Sequence, residues 1–286
     1  MNELITGLLQ ESISGIALGS IYALIALGFT LIYKASEVVN FAQGEVMMVG
    51  AYVNFFLVSY FSAMVGEING WVFLLAFLGS IIFAVIFGII LDFIINRPLK
   101  DEPVFSIVMA TISLAIILRA LTALIAGPIS LVPQSPFGGS IMEVGGVVVS
   151  YLDLSIIFSA VVLMGLFFIF FNKTRWGIAM KATSEDSEAA QLMGIPVKKV
   201  YMIVWVFAAI VGVVSGILLA PRMSLLDTSM GFLGLKAFPA AILGGFGSIP
   251  GAVVGGIILG VIETVSMGTL SFHFSWIKEI NDIIVW

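Results

Sequence analysis

Residues 12–33 read SISGIALGSIYALIALGFTLIY, a run of 22 residues without a charged side chain, closed by Glu11 on one side and Lys34 on the other. About 20 apolar helical residues cross a hydrocarbon layer of roughly 30 Å, so this run is long enough to span a membrane. Six further tracts follow, at 46–66, 71–91, 103–126, 154–172, 200–221 and 237–262, and Arg119 is the sole charge inside them. Another apolar rise begins at Asp282 and runs through Ile283, Ile284 and Val285 to Trp286. The pattern predicts an all-α, polytopic membrane helix bundle of seven to eight transmembrane helices, forming a single transmembrane domain over residues 1–286.

Composition agrees. The chain is 60% hydrophobic and 10% charged with a mean hydropathy of +1.19, whereas soluble domains carry about 25% charged residues. A soluble enzyme is excluded. The net charge of −5 offers no basic excess to hold a phosphate backbone, so nucleic-acid binding has no electrostatic footing. With no cysteine and His273 as the one histidine, neither disulfides nor a thiolate metal centre can form, and no metal site is expected. The opening Met1-Asn2-Glu3 lacks the basic region of a secretory signal, so the first tract reads as a retained span.

Lysine and arginine sort by loop. Arg97 and Lys100 follow the third tract, and Lys173, Arg175, Lys181, Lys198 and Lys199 follow the fifth, while the loops 62–70 and 127–151 contain neither residue. Positively charged loops stay cytoplasmic, which places 173–199 inside, 127–153 outside and the N-terminus outside. Beyond Ala220 the rule loses force, because Arg222 and Lys236 bracket a segment that alternation would put outside. The outer loop, with Pro128, Pro133, Pro136, Gly138, Gly139 and then Gly145-Gly146-Val147-Val148-Val149, has the composition of a hairpin-like surface. It reads either as a docking face for an external protein or as a stiff connector.

Two places within the apolar tracts break the helical pattern. The stretch from Leu233 to Gly260 carries Lys236, Gly244, Gly245, Gly247, Pro250 and Gly251, which predicts a broken or re-entrant segment near 237–251. Such breaks persist at membrane depth where protein or a water-filled cavity satisfies the backbone, and they commonly line substrate routes; small residues at helical spacing also serve plain helix packing. The second place is Asn40-Phe41-Ala42-Gln43-Gly44-Glu45 between the first two spans. It either caps and seats the second helix, with Glu45 favoured by the helix dipole, or forms a polar turn beside a substrate route. Arg119 and Glu263 need explaining because a charge at mid-helix costs about 2.5 to 3.5 kcal/mol on insertion scales. Each either lines a path or, more simply, takes an interfacial or structural role near a span end.

The segment 173–199 is dense in helix signals. Ser184 is the expected N-cap, Glu185 and Glu188 lie in the first turn, Ala189, Ala190, Leu192 and Met193 form a small apolar face, and Gly194 with Pro196 supplies the stop. An amphipathic helix of this kind fits a groove on a partner protein or lies on the membrane surface.

At this point the residues resemble a known family. Glu188-Ala189-Ala190 followed by Gly194 is similar to the start of the EAA loop with which membrane subunits of ABC importers contact their ATPases. Gly19-Ser20-Ile21-Tyr22-Ala23-Leu24, the stretch Asn40 to Tyr52, Arg97-Pro98-Leu99, Leu235-Lys236-Ala237-Phe238 and Leu243-Gly244-Gly245-Phe246-Gly247-Ser248 extend the likeness to the branched-chain amino-acid ABC permeases from about residue 12 to 263. Where such permeases commonly have histidine in Asn-Phe-Ala-His-Gly-Glu, this chain has Gln43, which removes a titratable imidazole.

The resemblance implies a bacterial or archaeal plasma-membrane importer subunit that is not itself an enzyme. Its implied partners are a second related permease subunit, two ATPase subunits and an external substrate-binding protein. It implies ATPase coupling through Ser184, Glu185, Glu188, Ala189, Ala190 and Gly194, and a substrate path along Asn40, Gln43, Gly44, Glu45, Lys236, Gly244, Gly245 and Gly247. The chain has no Gly-x-x-x-x-Gly-Lys-Ser/Thr, so ATP and magnesium are expected on the partner subunits and no cofactor on this one. Urea or amide permeases of the same family are the neighbouring alternative. A secondary ion-coupled transporter using Glu45 and Glu263 is the alternative from another class.

Overall fold

The structure, a computed structural model, describes residues 2–67, 69–99, 102–127, 129–135, 140–144 and 147–270. The apolar rise expected from Asp282, together with His273, Lys100, Pro128, Pro136, Gly138, Gly139, Gly145 and Gly146, lies outside the described residues.

The chain is helical almost throughout. In order come α1 (Asn2–Ser36), α2 (Gln43–Val65), α3 (Gly70–Leu91), a π-helical turn (Asp92–Asn96), α4 (Arg97–Leu99), α5 (Val104–Ala126), β1 (Ile141–Val144), β2 (Val147–Ser150), α6 (Tyr151–Lys173), α7 (Arg175–Glu185), α8 (Ser187–Leu192), α9 (Val197–Met223), α10 (Met230–Leu235), α11 (Phe238–Gly244) and α12 (Ile249–Val265). Among the described residues seven helices, including α1, α2, α5, α6 and α9, are long and apolar enough to cross a membrane. Their starts follow local chemistry. Asn69 accepts from the Val72 N–H, the Ser150 hydroxyl from Leu152 N–H, the Thr174 hydroxyl from Gly177 N–H and the Ser248 hydroxyl from Gly251 N–H.

β1 and β2 pair antiparallel with Val144 opposite Val147, so the expected hairpin is present at the end of the bundle where α6 begins. The opposite end gathers Lys34, Arg97, Lys173, Arg175, Lys181, Lys198 and Lys199 and is called the basic end below.

The most extensive helix–helix contact is that of α1 with α12, which run antiparallel. Gly15 and Gly19 meet the α12 backbone at Val261 and Ile257, and Gly256 and Gly260 meet Ala23 and Gly19, leaving no room for a Cβ at these glycines. Small residues on facing helix surfaces bring backbones together where lipid supplies no hydrophobic drive between helices. α9 packs along α1 and, on another side, against α2.

The tract 237–262 is broken as its glycines and prolines predict, into α11 and α12. Leu226 pairs with Leu131 at the hairpin end, whereas Ile249 lies among Leu31, Lys34, Lys181 and Ser184 at the basic end. The chain therefore crosses the bundle between these points through α10 and α11, two short helices broken around Lys236, before α12 returns. The turn after α11 is Gly245, whose φ of +82° suits glycine. Gly244 and Gly251 touch backbone to backbone, and Gly255 touches Ala240, which locks α11 onto α12. The break and the packing role of the glycines thus coexist on different residues.

Arg222 and Lys236 blurred the charge rule because neither is a loop charge. Among the described residues, the three basic side chains away from the basic end all sit in ion pairs: Arg222 with Asp153, Lys236 with Glu263 at 3.2 Å, and Arg119 with Glu45. Arg119 and Glu263 thus each take the structural role that the sequence allowed, as one half of an ion pair. Each lies where an opposite charge from a distant segment is available, which lowers the cost of a charge inside the bundle.

Candidate functional site

The segment 37–42 does not stay at the basic end. α2 begins at Gln43, whose side chain lies beside Gly28 and Gly212 and whose Nε2 donates to the Ala208 carbonyl at 3.0 Å. Gly28 precedes the end of α1 by eight residues and Ala208 follows the start of α9 by eleven. At 1.5 Å per residue this places Gln43 roughly 12 to 16 Å from the basic end. The chain climbs back between α1 and α5, with the Phe41 N–H donating to Thr111 Oγ1 at 3.3 Å and Asn40 Oδ1 accepting from the Ala42 N–H at 3.1 Å. Gln43, Gly44 and Glu45 therefore form the first turn of α2 and not a connecting turn, and the glycines at 28 and 212 make the slot that the amide occupies.

One turn further, α2 meets α10. Gly44 packs on the backbones of Gly231 and Gly234, and Gly231 covers the Glu45 carboxylate. Glu45 bonds through Oε1 to Arg119 of α5, and the guanidinium lies 3.6 Å above the Phe232 ring. That distance is well inside the range of cation–π attraction. Glu45 is buried, Phe232 is 53% exposed, and Glu45 Oε2 and Arg119 Nε are buried without a partner.

A second cluster ties the broken crossing to the rest. Lys236, between α10 and α11, donates to Glu263 Oε1 at 3.2 Å, and the Tyr22 hydroxyl of α1 donates to Glu263 Oε2 at 2.7 Å. Towards the basic end the rings of Phe29, Tyr33, Phe41, Phe238 and Phe246 pack in a chain with centroids 4.7–5.7 Å apart, closing the space between the Asn40 segment and the α11 break. The two segments singled out in the sequence are thus in direct contact. Gly245 and Gly247 stand apart from the cluster, with no atom near the position a Cβ would take.

Two cavities flank this region. A polar one of about 330 Å³ at the basic end is lined by Asn40, Asn96, Thr111, Glu188, Gln191 and Tyr201, so it reaches from α8 up to the Asn40 segment. The other, about 240 Å³ and mostly apolar, lies towards the hairpin end between Asn54, Phe55, Gln134, Ser155, Ser159 and Pro221.

The amphipathic segment differs from its expected form. Ser184 lies inside α7, its hydroxyl bonded to the Lys181 carbonyl, and the cap is Asp186, whose Oδ1 accepts from Glu188 and Ala189 N–H at 3.0 and 2.9 Å. The extended backbone of Asp186, with φ −156°, splits the predicted helix in two. Ala190 packs inward against Val197 and Tyr201, whereas Leu192 and Met193 are 88% and 85% exposed. Glu185, Glu188 and Ala189 are exposed, and Gly194 ends the segment with φ +86° as its sequence position predicts. Tyr22, Phe232 and the pairing of Glu45 with Arg119 were missed in the sequence. Tract positions give no signal for the last, because Glu45 precedes the inner end of its tract whereas Arg119 lies about two-thirds of the way across its own.

The chain was compared with known proteins. The family profile described as "Branched-chain amino acid transport system / permease component" matches residues 12–285. The high-affinity branched-chain amino acid transport system permease protein LivH of Escherichia coli K12 is 34% identical over 280 residues, 96% of this chain and 91% of the relative. The corresponding permease BraD of Pseudomonas aeruginosa is 35% identical over 262 residues, 89% and 85% of the two chains. A probable LivH of Methanocaldococcus jannaschii is 28% identical over 257 residues, covering 86% and 76%. No solved structure matches. With its membrane-length helices, its broken crossing and a profile match over nearly its whole length, this chain belongs to the family of branched-chain amino acid transport permease components.

Proposed function

We propose that this chain is the membrane-spanning subunit of an ABC importer that carries branched-chain, hydrophobic amino acids across a bacterial or archaeal plasma membrane. Two separate ATPase subunits supply the energy, a second related permease subunit completes the membrane unit, and an external binding protein delivers the substrate. ATP and magnesium belong to the ATPase subunits, and this chain acts as a conduit without catalytic residues. The basic end faces the cytoplasm and the β-hairpin faces outside, with the N-terminus, in keeping with the distribution of lysine and arginine.

The observation that carries the coupling role is the α7–α8 segment. At the basic end it exposes Leu192 and Met193 beside Glu188 and Ala189, an apolar tip of the size that fills a groove on a partner. Ser184, Glu185, Ala190 and Gly194 set the geometry of that tip. The polar cavity links it to Asn40, so a shift of α8 acts directly on the wall of the path. The path itself follows Asn40, Gln43, Gly44 and Glu45 on one side and Lys236, Gly244, Gly245 and Gly247 on the other.

The test is uptake into proteoliposomes holding the assembled transporter. Labelled leucine should accumulate only with ATP on the ATPase side, and Leu192→Asp with Met193→Asp should abolish ATPase co-purification and reduce uptake at least tenfold. Uptake of urea in place of leucine, or gradient-driven uptake without ATP, would overturn the reading.

A further inference from the structure

Four ion pairs are present among the described residues, and one differs from the others. Glu263 has both oxygens engaged, by Lys236 and Tyr22. Asp92 has both engaged, by Arg97 at 2.9 Å and Asn96 at 2.7 Å. Arg222 adds the Ser14 carbonyl and hydroxyl to its bond with Asp153. In the Glu45–Arg119 pair alone does each partner keep a buried polar atom without a bond, Oε2 of the carboxylate and Nε of the guanidinium. Buried polar atoms in native structures are nearly always satisfied, so an acceptor and a donor both open on one buried ion pair fit a ligand that supplies the complement of each.

The pair also lies deep. Arg119 falls fifteen residues after the start of α5 and seven before its end, roughly 22 Å and 10 Å along the helix. An ionisable pair at that depth carries a desolvation cost that two apolar side chains would not. Phe232 beside it is more than half exposed although its neighbour Gly231 is buried. The site therefore combines a carboxylate, a guanidinium and an accessible aromatic face.

We propose that Glu45, Arg119 and Phe232 form an intramembrane recognition site for the zwitterionic head and apolar side chain of an α-amino acid. The ammonium of the ligand bonds Glu45 Oε2, its carboxylate bonds Arg119 Nε, and its side chain lies against Phe232. The ligand brings one charge of each sign, so the site stays electrically neutral when filled. Gly231 covers the carboxylate with backbone alone, and α10 is a six-residue helix on a broken crossing. Movement of α10 away from α2 opens the site. This inference rests on the reading of the chain as an amino-acid permease.

The test uses the complete transporter. In detergent-purified complex without binding protein, labelled leucine should bind. 3-Methylbutylamine, which lacks the carboxylate, and 4-methylpentanoate, which lacks the ammonium, should each compete at least tenfold less well than leucine. Glu45→Arg combined with Arg119→Glu should assemble with its partners yet lose leucine binding and ATP-driven uptake at least tenfold, because the reversed pair turns the side chain of the ligand away from Phe232. Phe232→Ala, at an exposed position, should assemble normally and weaken leucine binding at least fivefold. If the reversed pair transports within twofold of wild type, the pair is a structural tie and the proposal falls. Should the reversed pair fail to assemble, Phe232→Ala decides, and unchanged leucine binding overturns the proposal. Wild-type uptake separates the two readings: ATP-driven leucine uptake with unaltered binding in Phe232→Ala sinks this site alone, whereas no leucine uptake by wild type sinks the transport reading and this site with it.

Discussion

Two contacts in this protein are built from glycine and each carries a glutamate, yet they differ in how completely that glutamate is bonded. Where α1 meets α12, Gly15, Gly19, Gly256 and Gly260 bring the backbones together, and Glu263 nearby has both oxygens occupied. Where α2 meets α10, Gly44, Gly231 and Gly234 do the same, and Glu45 has one oxygen bonded and one bare. Close approach is common to both. A contact whose polar groups are all satisfied loses bonds by opening, whereas one with orphaned atoms can gain them. The first contact is the fixed frame, and the second is the part that moves in the proposed cycle.

The sharpest way to break this comparison is to fill the frame. Gly260→Leu drives a side chain into the Gly19 backbone, which neither helix can avoid by rotamer choice. Overpacking of this kind costs about 3 kcal/mol or more. The expected outcome is loss of folded, monodisperse protein after detergent extraction; a normal yield with unchanged thermal stability would show that α12 does not anchor on α1.

The next largest effect is expected at the link between frame and moving part. Glu263→Gln leaves the partly buried Lys236 without its counter-charge, which costs up to about 3 kcal/mol. Replacing both, Lys236→Met with Glu263→Leu, should recover most of the loss, because an apolar pair of similar volume avoids the desolvation. Thermal unfolding of the two variants in detergent measures the difference, and equal destabilisation of both would show that the charges themselves hold α10 and α11 in place.

The smallest effect sharpens the comparison by separating glycines that touch from those that do not. Gly247 has open space around it and no positive φ, so Gly247→Ala should change stability by less than about 0.5 kcal/mol. Gly245→Ala, at φ +82°, should cost about 1 kcal/mol, from backbone strain alone. A large loss of stability in Gly247→Ala would mean that the loop after α11 is packed more tightly than its geometry allows.

How much of this was legible in the sequence depended on the range of the interaction. Span positions follow from composition within one window of chain, and six of the seven expected tracts coincide with helices to within a few residues. The seventh holds the break that its glycines and prolines predict near 237–251, but which piece belongs to which crossing was not legible, because apolarity cannot distinguish one span from the end of one crossing joined to the start of another. Only the positions of Leu226 and Ile249 at opposite ends of the bundle settle that. The β-hairpin and the left-handed Gly194 were readable because each is a local backbone preference. The cap at residue 186 was misplaced by two because Ser184 and Asp186 are both good caps, and which one leaves the helix depends on packing of Ala190 against Val197 and Tyr201. The Glu45–Arg119 and Lys236–Glu263 pairs join residues far apart in the chain, and spacing along one helix carries no trace of them.

The α1–α12 contact also sets an order for biosynthesis. α1 leaves the ribosome first among these helices, and its glycine face at residues 15 and 19 finds its partner only after more than two hundred further residues have been made. Lys236 likewise emerges before Glu263, on a crossing too short and too broken to be a stable span by itself. Inserting α10 and α11 together with α12 as one helical hairpin covers the lysine and closes the glycine seam in a single late event. Contacts between segments so distant form slowly, so partially synthesised chains stop short of a closed bundle and present α1 to chaperones and membrane proteases.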